Sequence, residues 1–108
     1  MKYRVVFRVC EVVEAVNKLS RPWGLDKRRT ILLTFNSLVA SLELANVEYE
    51  IHVVEDGISD ELRAILEPKV QTIQATEERG VPASLAKSYE VALKFADDDW
   101  VYFCEDDY

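Results

Sequence analysis

The sequence predicts an α/β fold, a Rossmann-like parallel sheet of strand order 3-2-1-4 with helices on both faces. Two observations lead to this class. Short runs of β-branched and aromatic residues alternate with longer segments whose apolar residues recur at helical spacing. A helical segment separates each strand-like run from the next, and such crossovers join parallel strands in a right-handed sense. We expect a single domain spanning residues 1–108.

The first half of the chain supplies two strands and the helix between them. Tyr3–Val9 is rich in β-branched and aromatic residues, which predicts a strand. Apolar residues then recur from Ile31 to Leu42 at a spacing that indicates a helix. Tyr49–Val54 predicts the second strand, and Glu55–Gly57 predicts the turn that ends it.

The second half adds two helices and two strands. Ser59 is predicted to cap a helix that ends before Pro68. Val70–Ala75 is a more polar strand, so we expect it on a sheet edge. Trp100–Phe103 predicts the fourth strand. The third helix, which lies between these two strands, is marked by Leu85, Tyr89, Ala92, Leu93 and Ala96.

Composition excludes several classes of protein. The formal net charge of −7 argues against binding to nucleic acid or an anionic membrane surface, because phosphates favour clustered Lys and Arg. We find no apolar run of membrane-spanning length and no secretion signal. The two cysteines, Cys10 and Cys104, are too few for a disulfide scaffold and are expected to be reduced and mostly buried. A cytoplasmic protein is therefore expected.

Acidic residues follow three of the four predicted strands. They are Glu11, Glu55–Asp56 and the triplet Glu105–Asp107. Parallel strands all end at the same edge of the sheet, where ligands bind near the point at which strand order reverses. Converging carboxylates repel one another unless a cation lies among them, and Mg²⁺ or Mn²⁺ prefers oxygen ligands. The triplet predicts a metal and phosphate site, whereas a solvated strand end is the simpler explanation of any one acidic residue alone.

Five segments in order carry a resemblance to a known family. They are Val5–Val9, Ser37–Leu42 (SLVASL), Val53–Ser59 (VVEDGIS), Ala86–Ser88 (AKS) and Tyr102–Asp107 (YFCEDD). The chain resembles the N-terminal, nucleotide-sugar-binding half of GT-A-fold glycosyltransferases of the family-2-like type, whose acidic motif has the form D-x-D. The resemblance covers nearly the whole chain and implies a truncated GT-A domain.

The resemblance implies a role for each matching residue. Asp56 matches the aspartate that hydrogen-bonds the nucleobase, and Asp107 matches the ligand of Mn²⁺ or Mg²⁺. Glu105 and Asp106 are expected to face the ribose or a metal-bound water. Nucleotide-binding roles in all fall on Arg8, Val9, Glu11, Asp56, Lys87, Glu105 and Asp106.

The implied activity is transfer of a sugar from a nucleotide-diphosphate donor, with UDP as the expected nucleotide, to an acceptor hydroxyl. A divalent metal stabilises charge on the leaving diphosphate. We expect the general base and the acceptor pocket to lie outside these 108 residues. Glu55, Ile58, Ser88 and Glu105 depart from the family pattern, which leaves the donor open.

Other functions stay open. A non-catalytic sugar-nucleotide-binding or nucleotidyltransferase-like module would use the same carboxylates, although residues 10–20 contain no glycine for a phosphate loop. A phosphoacceptor receiver domain requires a fifth strand ending in Lys, for which the chain has no room. A structural interaction domain would bind no metal-dependent ligand.

Several residues carry smaller expectations. The basic segment Arg21–Arg29 either closes over a diphosphate or is a solvated loop. His52 is interpreted as structural, and Asp97–Asp99 as a solvated turn. With order 3-2-1-4, Cys10 and Cys104 should lie near each other at the carboxyl edge. In this short chain the fourth strand would be an unpaired edge, which the expected second half of the domain would cover, so the isolated chain is predicted to self-associate.

Overall fold

A computed structural model of the chain describes residues 2–11, 26–78, 80–95 and 99–106. Within these ranges, four strands form one parallel sheet in the order β3-β2-β1-β4. The strands are β1 (Tyr3–Val9), β2 (Tyr49–Glu55), β3 (Thr72–Ala75) and β4 (Trp100–Glu105). The helices are α1 (Lys27–Leu44), α2 (Asp60–Leu66), which runs into a 3₁₀ turn at Glu67–Lys69, and α3 (Val81–Ala92). The predicted fold class and strand order are confirmed.

Helices cover both faces of the sheet, as predicted. Alternate side chains of β1 point to opposite faces, so Phe7 packs toward α1 while its neighbour Val6 packs toward α3. The Phe7 and Phe35 ring centroids lie 5.8 Å apart. The larger core, on the α1 and α2 face, contains Val5, Phe7, Val9, Ile31, Phe35, Ile51, Val53, Leu62, Leu66 and Cys104. Each large apolar side chain buried there stabilises the fold by about 1.5–3 kcal/mol.

Local capping explains where the helices begin. The Asp26 carboxylate accepts a hydrogen bond from the Arg29 backbone N–H at 2.8 Å and starts α1. The Ser59 hydroxyl accepts one from the Leu62 N–H at 3.1 Å, which confirms the predicted cap of α2. Gly80 precedes α3 with φ of 107°, a left-handed conformation that favours glycine. None of the helices that the structure describes is long and apolar enough to cross a membrane.

The inward face of α3 differs from the predicted apolar stripe. Ser84, Ser88 and Val91 are buried, whereas Tyr89 is 55% exposed and Leu93 is 85% exposed. The small hydroxyl side chains are satisfied where they are buried: the Ser84 hydroxyl accepts from Arg8 of β1, and the Ser88 hydroxyl donates to the Ser84 carbonyl oxygen. Arg8 of β1 lies under α3 and favours the rotation of the helix that turns Ser84 toward the sheet. The spacing of apolar residues in the sequence does not indicate this rotation.

A charged network joins the strands at the amino end of the sheet. Arg4 on β1 donates to Glu50 of β2 and to Asp99, which precedes β4. The Asp99 carboxylate also accepts from the Lys2 backbone N–H at 3.0 Å. The solvated turn predicted for Asp97–Asp99 is therefore wrong for Asp99, because a cation and a backbone donor draw its side chain inward. Residues 97 and 98 lie outside the described residues.

His52 lies in the middle of the sheet on the α3 face. Its Nδ1 is 2.8 Å from the Thr72 hydroxyl, and its Nε2 is 3.1 Å from a Glu50 oxygen. The imidazole ring packs against Phe95, with centroids 4.8 Å apart. This buried position between β2, β3 and the end of α3 agrees with the structural role expected for it.

Candidate functional site

The strand order reverses at β1, with β2 and β3 on one side and β4 on the other. In open parallel α/β sheets, such a reversal leaves a crevice outside the carboxyl ends of the two flanking strands, and ligands bind there. Here the flanking strands are β1 and β4, and Arg8 lies directly beside Glu105 in their register. The candidate site is therefore built around the last residues of these two strands.

Arg8 and Glu105 form an ion pair across the crevice. The Arg8 guanidinium donates to the Glu105 carboxylate and, at 3.0 Å, to the hydroxyl of Ser84 in the first turn of α3. The Arg8 side chain is mostly buried, while that of Glu105 is more than a third exposed. Glu105 can therefore meet a ligand from solvent without leaving the end of its strand.

Asp106 links three elements at the same edge. One carboxylate oxygen accepts the Cys10 backbone N–H at 2.9 Å, just past β1. The other accepts from Lys27 Nζ at 3.1 Å, in the first turn of α1. Asp106 is buried, so these partners offset the cost of removing its charge from water. Lys27 thereby brings a cation to the crevice.

Glu11 lies on the other side of β1, toward α2. It accepts from the Ser59 backbone N–H at 2.7 Å and from Arg28 Nε at 2.8 Å. Burial pushes the pKa of Glu11 upward, but the hydrogen bonds from Ser59 and Arg28 outweigh it and hold the pKa below the usual range. Glu11 is thus an ionised acid that fixes the beginning of α2 against α1.

Asp56 connects the end of β2 to the beginning of α3. One of its oxygens accepts the Gly80 backbone N–H at 2.9 Å, and the other lies 3.3 Å from the Thr76 hydroxyl. Its backbone carbonyl accepts the Cys10 thiol at 3.0 Å. Asp56 is buried, and these bonds hold together the loops around the carboxyl edge.

The structure brings most of the predicted residues to one edge and places Lys87 apart from them. Arg8, Glu11, Asp56, Glu105 and Asp106 all lie at the carboxyl ends of β1, β2 and β4. Val9 lies there too, but its side chain is fully buried in the core, so only its backbone can meet a ligand. Lys87 pairs with Glu90 at 3.4 Å on α3 and lines a shallow cleft of about 230 Å³ beside β3. Asp107 lies outside the described residues.

Cys10 and Cys104 lie at the same end of the sheet, as expected from the strand order. Cys104 is aligned with Phe7 on β1, and Cys10 follows three residues later. Neither cysteine forms a disulfide among the described residues, and burial raises the pKa of the Cys104 thiol. About 3.3 Å of rise per strand residue separates their levels by more than a disulfide can span.

Sequence reasoning did not identify Ser84 and gave Lys27 only a general role in a basic segment. Ser84 carries no recognisable signal, because a serine in the first turn of a helix is common. Lys27 is detectable through its position, since it follows the Asp26 cap and so begins α1 at the carboxyl edge. The structure adds the Lys27 ammonium and the Ser84 hydroxyl, which accepts from Arg8, to the predicted acids.

The described donor set does not form a metal site by itself. No group of three His, Cys, Asp or Glu side chains among the described residues is arranged to hold a metal ion. Instead, three of the acids at the edge each face a cation: Glu11 with Arg28, Glu105 with Arg8, and Asp106 with Lys27.

The fold places the chain in the class of Rossmann-like α/β domains. A scan against protein-family models, a search of curated proteins and a search of solved structures each find no match to the chain.

Proposed function

We propose that the chain is the donor-binding part of a glycosyltransferase, which takes a sugar from a nucleotide-diphosphate sugar, UDP being the expected nucleotide, and gives it to an acceptor hydroxyl. One observation carries this proposal. Glu105 and Asp106 end β4 beside the end of β1, at the strand-order reversal, where open α/β sheets bind nucleotides. The sequence resemblance to GT-A enzymes rests on the same acidic segment.

The ion pairs at this edge offer acids and bases to a ligand that carries both hydroxyl groups and negative charge. Glu105 has the exposure needed to accept hydrogen bonds from a ribose. Lys27 and Arg8 are cations already held at the crevice by Asp106 and Glu105. A diphosphate entering there would share these cations, because charge-assisted hydrogen bonds to phosphate are stronger than neutral ones.

A divalent ion, Mn²⁺ or Mg²⁺, remains part of the proposal through the carboxylates at the end of β4. The described residues supply Glu105 and Asp106 but no complete set of ligands. Such an ion commonly takes one or two protein carboxylates and completes its shell with substrate phosphate and water. We therefore expect the metal to bind together with the diphosphate.

The proposal is tested by calorimetric titration of the 108-residue chain with UDP, GDP, CDP and ADP, each with and without Mn²⁺. We expect one diphosphate to bind, and more tightly with Mn²⁺. The Glu105→Gln variant should lose at least about tenfold in affinity, since a charged hydrogen bond contributes about 1.5–3 kcal/mol. Lys27→Met should weaken the same diphosphate with little effect on the free nucleoside.

Glu48→Gln is the matched control, because Glu48 is exposed and lies just before β2 at the opposite end of the sheet. Its affinity should equal that of the unmodified chain. An equal loss of affinity in Glu105→Gln and in the control Glu48→Gln would contradict the proposal. So would the absence of binding by a chain that circular dichroism shows to be folded. Tighter binding of UTP than of UDP-sugars would favour nucleotidyl transfer instead.

A cytoplasmic location belongs to the same proposal. Two cysteines that form no disulfide among the described residues support it, because disulfides are rare in that reducing compartment. Fractionation of cells that produce the tagged chain tests this directly, and recovery in a secreted fraction would contradict it.

A further inference from the structure

We propose that two copies of this chain associate through β4, which pairs antiparallel with β4 of the second copy to extend the sheet across a two-fold axis. β4 has β1 on one side, and no other described strand pairs with it on the other. The outer backbone groups of such an edge strand are a template for further pairing. Self-pairing of one edge about a two-fold axis makes the two strands antiparallel.

The apolar surface around β4 is large enough for a stable dimer. Trp100 is 58% exposed, Tyr102 52%, Phe103 45%, and Tyr89 of α3, whose ring centroid lies 5.3 Å from that of Phe103, is 55% exposed. At roughly 200 Å² per aromatic residue, these four leave about 400 Å² uncovered. Leu93, the C-cap residue of α3, extends this area further. A standard interface uses about 800 Å² per partner, a little over half of it apolar.

The other edge of the sheet does not have this character. β3 is only four residues long, with the sequence TIQA, and Glu77 and Glu78 follow it closely. Short, polar strands near charged residues resist edge-to-edge pairing. β4 instead presents the uncharged run WVYFC, so the two edges differ in length, polarity and exposed aromatic surface.

The sequence of β4 selects the register of the pairing. Only alignment about Tyr102 sets all five uncharged residues of one copy against those of the other. Trp100 then faces Cys104, Val101 faces Phe103, and the two Tyr102 residues face each other. Cross-strand aromatic and β-branched pairs of this kind stabilise antiparallel sheets.

The ends of the paired strands are compatible with this register. Asp99 of one copy lies opposite Glu105 of the other, but each acid has its own arginine, Arg4 and Arg8 respectively. Because the strands run in opposite directions, the two carboxyl ends lie at opposite ends of the pairing. The two candidate sites therefore lie at opposite ends of the dimer.

Sedimentation equilibrium of the 108-residue chain tests the proposal. Between about 1 µM and about 100 µM, a range in which interfaces of this size associate, we expect the mass to rise from 12.4 kDa toward twice that value. Tyr102→Lys should weaken association at least tenfold, because it sets two like charges opposite each other. Circular dichroism should show that the variant is folded, since the substituted side chain is half exposed.

Two controls distinguish specific pairing through β4 from non-specific association. Ala75→Lys adds the same charge to the β3 edge, and Leu44→Lys removes an apolar side chain that is 89% exposed at the end of α1. Both should associate like the unmodified chain. A monomer throughout the concentration range, or loss of association in Leu44→Lys, would overturn the proposal.

Cross-linking tests the register. Under mild oxidation, Tyr102→Cys should form a disulfide-linked dimer on a non-reducing gel, because residues directly opposite in an antiparallel pair bring their Cβ atoms close to disulfide distance. Leu44→Cys should not. Equal cross-linking of both variants, or of neither, would contradict pairing about Tyr102.

Discussion

The two ends of the sheet both gather acids and bases, but they connect them differently. At the amino end, Arg4 on the central strand β1 bonds to Glu50 of β2 and to Asp99 just before β4. One cation therefore ties three neighbouring strands together. At the carboxyl end, Glu105 and Asp106 pair with separate cations, the second of which, Lys27, comes from the first turn of α1.

This difference separates a structural network from a candidate binding site. The Glu50 carboxylate accepts hydrogen bonds from Lys2 at 2.9 Å and from Arg4, and His52 Nε2 lies 3.1 Å from one of its oxygens. The charged groups of the amino-end network therefore have partners within the network. The Arg4 guanidinium also lies 5.3 Å from the centre of the Phe95 ring. At the carboxyl end, the pair between Lys27 and Asp106 joins the end of a strand to the beginning of a helix and does not link two strands. Charge density alone does not distinguish the two ends, whereas the strand-order reversal does.

The largest expected effect on stability follows from the shared cation. Arg4→Met removes the common partner of Glu50 and Asp99, and each acid loses a charged hydrogen bond that its remaining partner Lys2 does not replace. We expect the midpoint of thermal unfolding, followed by circular dichroism, to fall by roughly 5–10 °C. Arg28→Met is the matched control at the carboxyl end, because Arg28 also pairs with two acids, Glu11 and Glu61. An equal fall in both variants would show that the two ends contribute alike.

The second largest expected effect is the loss of stability at low pH, where the acids of the amino-end network become protonated. A hydrogen bond from the Lys2 side chain, helped by His52 and Arg4, holds the pKa of Glu50 below its usual range. The Lys2 backbone N–H, followed by Arg4, lowers the pKa of Asp99 in the same way. A pKa that is lower in the folded than in the unfolded protein stabilises the fold above the unfolded value, about 4, and this stability is lost as pH falls below it. The unfolding midpoint should therefore drop from about pH 4 downward.

The variant Asp99→Asn should make that drop shallower, because it removes one of the acids that must be protonated. It should also melt at a lower temperature than the unmodified chain at pH 7. Glu67→Gln, on the exposed 3₁₀ turn, is the control and should keep the full pH dependence. If the unfolding midpoint of Asp99→Asn fell with pH as steeply as that of the unmodified chain, Asp99 would not be a source of the pH dependence.

The strands were predictable because each depends on its own residues. β1 begins and ends where its β-branched and aromatic run does, and β2 extends the predicted strand by the single residue Glu55. β3 begins two residues later than predicted, at Thr72, and β4 continues two residues further than predicted, to Glu105. Strand order was also predictable, since three crossovers of one hand allow few arrangements. The acids at the carboxyl edge followed from that order alone.

Contacts between distant residues were not predictable. Asp99 reads as a turn residue in sequence, and its partners Lys2 and Arg4 lie at the other end of the chain. Lys87 was assigned to the nucleotide from a motif, but its position depends on the rotation of α3, which the contact between Arg8 and Ser84 helps to set. A local pattern places a residue along the chain without specifying which side of a helix faces the site.

The smallest expected effect lies at the exposed rim of the carboxyl end. Glu61 is 78% exposed and pairs with Arg28 at 2.8 Å, and ion pairs in water contribute little because solvent and salt screen them. Glu61→Gln should therefore shift the unfolding midpoint by no more than about 1 °C. Raising the salt concentration from about 0.05 M to about 0.5 M should remove even that difference, since it shortens the screening length to a few ångströms. If Glu61→Gln lowered the unfolding midpoint as much as Arg4→Met does, the exposed ion pair at the rim would contribute as much to stability as the shared cation at the amino end.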